Sequence, residues 1–427
     1  MTIRWHRGAL DTATAFLAAL VAGLSLMVPI DFAWTSTTSA VRVDLLVVSL
    51  PRAIAAGALV AVVAAVLSNA LGGQLMRWGW ALGGVTLLFV NHLLGRNAVL
   101  GTSLATLNFL DSIAGGLILG GSGAAVLARG RSAIAWLLGA ICGVVIEAIL
   151  PETHPRTVEQ HFPQNWPAID APPMWLIVLA LVFIAIGAYR EPAEQPAETS
   201  SLSLPILPII AGTLVIGMSL FGSEWLARHG DSLPAVAATV VVTVAAALLA
   251  ALLLPDREGT MVLLAVGLAG AGSAVLTNQV PSWTIPLMIG LVLVGLLAGS
   301  RWPSPRVAVV AVIGLSAYAV LEVAAGHSTW SAGAGHAGLS LVAGYSFASV
   351  TPRYGSTRVL GISLIYVPSP VLALRDYVNR GHCLLAEHGK PCDYTDFTSY
   401  APGWMATATA CASAFALWLL WRRRPTG

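Results

Sequence analysis

Apolar runs of roughly 17–25 residues, each long enough to cross a bilayer as a helix, recur from one end of this 427-residue chain to the other. Backbone groups in hydrocarbon must bond within their own helix or around a closed barrel. Barrel strands alternate apolar and polar residues over about ten positions, whereas these runs are continuous. They predict an all-α polytopic membrane protein. Only 10% of the residues are charged and 57% are hydrophobic, where a soluble domain carries about a quarter charged. A net charge of +2 gives no basic face for a nucleic acid. Membrane lipid is the expected surrounding partner, and no nucleic acid is expected.

Fourteen spans are predicted, near 9–30, 48–70, 79–95, 102–127, 132–150, 174–189, 205–226, 233–254, 260–278, 283–300, 306–326, 330–350, 356–373 and 403–421. Arg4 and Arg7 precede the first apolar run, which is expected to remain as an uncleaved span. Basic residues concentrate on the cytoplasmic side of membrane proteins. With both termini inside, the inner segments hold Arg4, Arg7, Arg77, Arg129, Arg131, Arg190, Arg257, Arg301, Arg306, Arg353, Arg358, Arg422, Arg423 and Arg424, fourteen of the 22 basic residues. The outer segments hold Arg42, Arg52, Arg96, Arg156, Arg228, Arg375, Arg380 and Lys390 over a greater length. N-in and C-in is therefore the expected orientation, in the cytoplasmic membrane of a bacterium.

Two outer segments are long, 151–173 and 374–402, and could dock a protein partner. The inner segment 190–203, "REPAEQPAETSSLS", is polar and Pro-containing, as a linker would be. It divides the chain into a six-span bundle over 1–189 and a second bundle over 204–427, six spans plus an extra pair. Cys142 and Cys411 fall inside spans and read as packing residues. Cys383 and Cys392 share the last outer segment, where an oxidising compartment permits a disulfide. A zinc site needs more ligands than this pair, and His382 and His388 lie beside it in sequence; the disulfide is the favoured reading over a metal.

One charged cluster stands out, "LLLPDREGT" at 252–260, between long apolar runs. Arg257-Glu258-Gly259 lies between spans eight and nine, and Arg77-Trp78-Gly79 between spans two and three. An R-x-G in loops six spans apart suggests an internal repeat. In these residues the chain resembles the major facilitator superfamily, whose loop between the second and third helices carries a Gly followed by D-R-x-G. Gly72, Arg77 and Gly79 match in the first half, with Met76 at the Asp position; Asp256, Arg257 and Gly259 match in the second, with Ala251 or Leu252 at the first Gly. The resemblance implies two helical bundles, gating loops at these residues and gradient-driven transport. The Gly-Pro pattern of antiporters is absent from span five. Fourteen spans exceed the family's usual twelve. Counted this way the surplus pair is spans thirteen and fourteen, whereas fourteen-span members commonly carry it between the halves.

Ionisable side chains inside a span are costly, and each is a functional candidate. Asp111 sits within span four, one turn after Asn108 and just before Gly115 and Gly116. It reads either as a proton- or substrate-coupling carboxylate or as a structural hydrogen bond between helices. Glu147 and Glu322 lie late in spans five and eleven, and Arg52 at the start of span two is a partner for either or reaches outward to water. His92 follows Asn91 at the outer end of span three, and His336 is deeper in span twelve. Histidine suits proton coupling; a packed, hydrogen-bonded role is the alternative for both. The glycine runs lack the Lys-Ser/Thr of a phosphate loop and serve helix packing.

These features favour a secondary transporter driven by an ion gradient, protons being the expected ion, rather than an enzyme. No cofactor is expected. A mostly apolar interior points to a small or amphipathic, lipid-like solute. A non-catalytic subunit of an envelope complex is the alternative, and a membrane-embedded transferase with a lipid-linked donor is the third.

Overall fold

In a computed structural model the described residues are 2–27, 40–70, 74–97, 104–128, 130–149, 171–190, 206–276, 280–326, 328–385 and 399–424. They form fifteen α-helices and no strand. The helices are α1 (Thr2–Met27), α2 (Ala40–Ala70), α3 (Gln74–Asn97), α4 (Leu104–Val126), α5 (Gly130–Ile149), α6 (Met174–Arg190), α7 (Leu207–His229) and α8 (Leu233–Leu253). They continue with α9 (Gly259–Val275), α10 (Ile285–Arg301), α11 (Pro305–Ala325), α12 (Thr329–Ser349), α13 (Gly355–Tyr366), α14 (Pro370–Leu385) and α15 (Ala401–Arg423). Ten described segments are helical, long and apolar enough to cross a membrane, and α6 and α9 are shorter apolar helices. The all-α polytopic reading holds. One span differs from expectation. The run at 356–373 is two helices, broken at Val367-Pro368-Ser369, because prolines at 368 and 370 remove two helical donors in succession.

Local signals explain several starts. Ser232 accepts from the Ala235 amide, and Ser304 from that of Val307, each with a proline in the first two helical positions. Such caps satisfy donors left open at a helix start. Ser328 and Ser331 form a reciprocal capping box at α12.

The chain divides into two compact units. The first comprises Met1–Glu147, Trp166–Thr213 and Thr351–Tyr366; the second comprises Ala148–Asn165, Leu214–Val350 and Val367–Gly427. Within the first, α4 is the central helix, packed along α2, α3 and α1, while α6 lies on α1 and α3. Within the second, α12 packs along α10, α11 and α9, and α15 lies on α9, α11 and α8. If α13 and α14 are taken as one broken span, the five main pairings among α1, α2, α3, α4 and α6 recur among α9, α10, α11, α12 and α15. The repeat offset read from packing is therefore eight spans. On this offset α7 and α8 fall between the repeats.

Small residues set the main crossings in both units. A Cβ on Gly116 would strike the Gly57 backbone on α2, and one on Gly120 would strike that of Ala61. A Cβ on Gly344 would likewise meet the Val292 carbonyl on α10, and one on Gly295 the Leu341 carbonyl on α12. In lipid, where apolar burial between helices is not a driving force, this close backbone approach is the main source of association.

Of the expected linker 190–203 only the backbone of Arg190 is described. Gly72 and Cys392 lie outside the described residues, and for Cys383 only the helical backbone is described, so the expected bridge falls outside them. Among the described residues Cys142 and Cys411 are free thiols.

Candidate functional site

The first unit buries a polar cluster around Asp111, the eighth residue of α4 (Leu104–Val126), roughly 10 Å along the helix from its start. Asp111 is 1% exposed. Two partners come from one turn of α3: Asn91 Nδ2 donates to Asp111 Oδ1 at 2.8 Å, and His92 Nε2 lies 3.1 Å from Asp111 Oδ2. Both partners are fully buried. From α1, Ser25 Oγ donates to the Asp111 carbonyl at 2.7 Å. The glycines after Asp111 make that possible. A Cβ on Gly115 would come within 3.2 Å of Ser25 Oγ and 3.1 Å of the Ala22 carbonyl, so the absence of a side chain there lets α1 approach α4 closely.

The hydrogen-bond pattern restricts where a proton can sit. The Asn91 amide nitrogen also donates to the Leu107 carbonyl at 2.9 Å, so it faces two acceptors and Asp111 Oδ1 is one of them. A proton on the carboxyl group therefore belongs on Oδ2, the oxygen facing His92. When Asp111 is ionised, Nε2 donates to it; when Asp111 is neutral, Oδ2 donates to the Nε2 lone pair. The cluster thus offers a proton two positions about one hydrogen bond apart, with Asn91 holding the carboxylate in place.

The structure brings Asp111 of span four together with Asn91 and His92 of span three. Asn108 is buried one turn before Asp111 and is itself engaged. Ser25 was not anticipated, since a serine in an apolar helix carries no signal by itself; the glycines opposite it were the readable trace. Arg52 is exposed on α2, Glu147 is half-buried in the last turn of α5, and both engage neighbouring groups.

In the second unit Glu322 and His336 are both 3% exposed. Ser331 Oγ donates to Glu322 Oε1 at 3.3 Å, and the Tyr318 hydroxyl donates to the Ser331 carbonyl at 2.7 Å. This places the Glu322 carboxylate against the first turn of α12, where helix polarity favours an anion. His336 Nδ1 donates to the Ala332 carbonyl at 2.9 Å. Glu322 and His336 lie on α11 and α12, the helices that the repeat pairs with α3 and α4, which carry Asn91, His92 and Asp111.

The two R-x-G stretches differ in what holds them, Arg77-Trp78-Gly79 lying in α3 rather than in a loop and Asp256-Arg257-Glu258 in the turn before α9. Asp256 has φ of 47°, in the left-handed region that Asp tolerates better than most residues. Arg424, at the end of α15, donates to the carbonyls of Leu254 at 2.6 Å, Leu252 at 2.8 Å and Asp256 at 2.5 Å. Arg257 Nε returns a bond to the Arg424 carbonyl at 3.0 Å. These contacts close the last turn of α8, whose carbonyls lack helical partners. A Cβ on Gly259 would strike Ala251, so this glycine lets α8 and α9 meet. Gly79 has open space around it, and by packing its helix corresponds to α11 rather than to α9, which follows 256–259.

No family model matches the chain, and no curated protein does. Among solved structures it is similar to FucP, a major facilitator superfamily transporter in the outward conformation, with 15% identity, 98% of each chain covered and a TM-score of 0.47. It is similar to the proton:xylose symporter XylE bound to 6-bromo-6-deoxy-D-glucose, with 11% identity over 97% of this chain and 95% of that one and a TM-score of 0.47. A partially occluded inward-open XylE from E. coli gives 11% identity, coverage of 98% and 99%, and a TM-score of 0.46.

Proposed function

We propose that the chain is a secondary active transporter in which the Asp111–His92 pair couples solute movement to protons. The observation that carries this is the pair itself: a carboxylate 1% exposed, inside a membrane helix, with an imidazole nitrogen at 3.1 Å. Ionisable groups at such depth are expensive and are kept where they do work. A carboxyl–imidazole pair that holds a proton on either member suits a carrier that must load and release one. The repeated packing of the two units, with α7 and α8 between the repeats, fits the architecture implied by the superfamily resemblance.

On this reading the solute is small or amphipathic, both termini face the cytoplasm of a bacterium, and Glu322, His336, Glu147 and Arg52 serve coupling or solute contact in a second rank. The inner segments at Arg77 and Arg257 take part in gating, and Cys383 and Cys392 form a bridge in the last outer segment. The test is solute-dependent proton flux in proteoliposomes, compared between wild type and Asp111→Asn. Asn keeps the shape and an acceptor for Asn91 but cannot titrate. Loss of gradient-driven uptake with solute exchange retained supports the coupling role. Full uphill transport by the variant removes it and leaves Asp111 a structural residue.

A further inference from the structure

One face of α15 forms a continuous outward stripe. Trp404, Ala408, Cys411, Phe415, Trp418 and Arg422 are exposed at steps of three and four residues, on the side away from α8, α9 and α11, along which the helix packs. Ala401–Arg423 is long and apolar enough to span a membrane, so this stripe faces lipid. Trp404 and Arg422 are about 27 Å apart at 1.5 Å per residue, close to the thickness of a hydrocarbon core, about 30 Å. The two ends of the stripe therefore lie near the two membrane surfaces.

At the Arg422 end, aromatic and basic groups are ordered by depth. Phe415 and Trp418 are 60% and 49% exposed and stack with ring centroids 5.7 Å apart. Arg422 Cζ lies over the Trp418 ring, 5.4 Å from its centroid. That contact holds a guanidinium in place without neutralising it. Arg423 follows and is also exposed. Among the described residues neither arginine has a hydrogen bond or an ion pair.

The same end of the helix is fastened by two more arginines. Arg424 donates to the carbonyls of Leu252, Leu254 and Asp256, and Arg257 donates to the Arg424 carbonyl. Carbonyls fix these guanidiniums without cancelling their charge. Four arginines thus gather around two carboxylates, Asp256 and Glu258, and a net positive charge remains. All of these residues belong to the second unit.

We infer that the Arg422 end of α15 is a binding site for an anionic phospholipid. Arg422 and Arg423 hold its phosphate, and an acyl chain lies along Phe415 and over the small residues Cys411 and Ala408. Charge complementarity selects an anionic headgroup. The apolar stripe that continues from the arginines selects a lipid over a free phosphate, which would use the arginines alone. On the proposed orientation this is the cytoplasmic leaflet, where anionic lipid attracts basic residues next to a span.

The test is native mass spectrometry of delipidated protein titrated in detergent with phosphatidylglycerol or with phosphatidylcholine. It requires neither a solute nor a sided membrane, so its outcome is independent of the transporter reading and of the orientation. Wild type should retain phosphatidylglycerol in preference to phosphatidylcholine. R422Q/R423Q changes two exposed side chains and should weaken phosphatidylglycerol binding about 30-fold, the equivalent of about 1 kcal/mol for each arginine near an anionic surface. The control is R228Q/R301Q, which removes two exposed arginines of the same unit on α7 and α10, neither of which packs along α15; its binding should stay near that of wild type. Equal retention of the two lipids by wild type, or undiminished binding in R422Q/R423Q, overturns the inference. An equal loss in R228Q/R301Q also overturns it, because the attraction is then a diffuse one. A wild-type dimer that excludes lipid overturns it as well and assigns the stripe to a second copy of the chain.

Discussion

Replacing Asp111 by Ala and by Asn should separate the structural from the titrating role of its carboxylate. In wild type Asp111 accepts from Asn91 at 2.8 Å and pairs with His92 at 3.1 Å, all three being buried. Ala leaves both partners facing a small cavity. A buried polar group left without a partner costs about 1–3 kcal/mol. Hydrogen bonds measured between membrane helices average nearer about 0.6 kcal/mol, with a maximum near about 1.7, because the unfolded chain in lipid also finds partners. Two lost bonds then give about 1–3 kcal/mol for Asp111→Ala, with Asn91 keeping the Leu107 carbonyl. In Asp111→Asn the amide oxygen can accept from Asn91 while the amide nitrogen donates to His92 Nε2. Both bonds survive, and the cost should be under about 1 kcal/mol. Cys142 supplies the assay, being a free buried thiol, whereas Cys411 is free and exposed. With Cys411 replaced by serine, a thiol-reactive fluorophore reaches Cys142 only on unfolding. The delayed labelling should shift to a lower temperature in Asp111→Ala and barely move in Asp111→Asn. Equal midpoints for Ala and wild type would refute the hydrogen-bond geometry.

Other expectations follow from particular contacts. Gly116→Val should lower the yield of monodisperse protein in size-exclusion chromatography, because even its Cβ would meet the Gly57 backbone and overpacking costs about 1–3 kcal/mol or more; an unchanged profile would show that α2 and α4 are not that close. Arg424→Ala frees the carbonyls of Leu252, Leu254 and Asp256, and should raise amide exchange at residues 254–260 several-fold with little change elsewhere, as measured by mass spectrometry. Protein purified without reductant should carry Cys383 and Cys392 as a disulfide, and two alkylatable thiols would remove that expectation. Impermeant labelling should reach introduced cysteines at 160 and 388 from outside and at 195 and 256 only from inside; 160 and 195 on the same side would break the orientation.

Much of the fold was legible because membrane helices declare themselves by length and apolarity, and most predicted spans match helices to within a few residues. The broken span was also written in the chain. "YVPSP" at 366–370 contains two prolines two residues apart, a signal masked by the apolar run around it. The repeat register was not readable from a three-residue match. The recurring signal was a crossing of small residues, Gly57 with Gly116 and Gly295 with Gly344, which is diffuse in one dimension and evident once helices are packed. For the site, cost identified the members: Asp111 and His92 are polar where polarity is expensive. Sequence could not pair them, since the angle between α3 and α4 decides which faces meet. Asp256 and Arg257 show the reverse case. They looked like a motif, and the Asp256 backbone carbonyl and the Arg257 guanidinium close the end of α8 against Arg424.

The most direct test of the transporter reading is lumenal pH in proteoliposomes of purified wild type and Asp111→Asn, challenged with a panel of small and amphipathic solutes. The account predicts that at least one solute drives a proton flux through wild type that Asp111→Asn lacks, while the variant still exchanges that solute across the membrane. A wild type that moves no protons with any member of the panel, and that purifies instead in a stable complex with another protein, would contradict it and favour a subunit role.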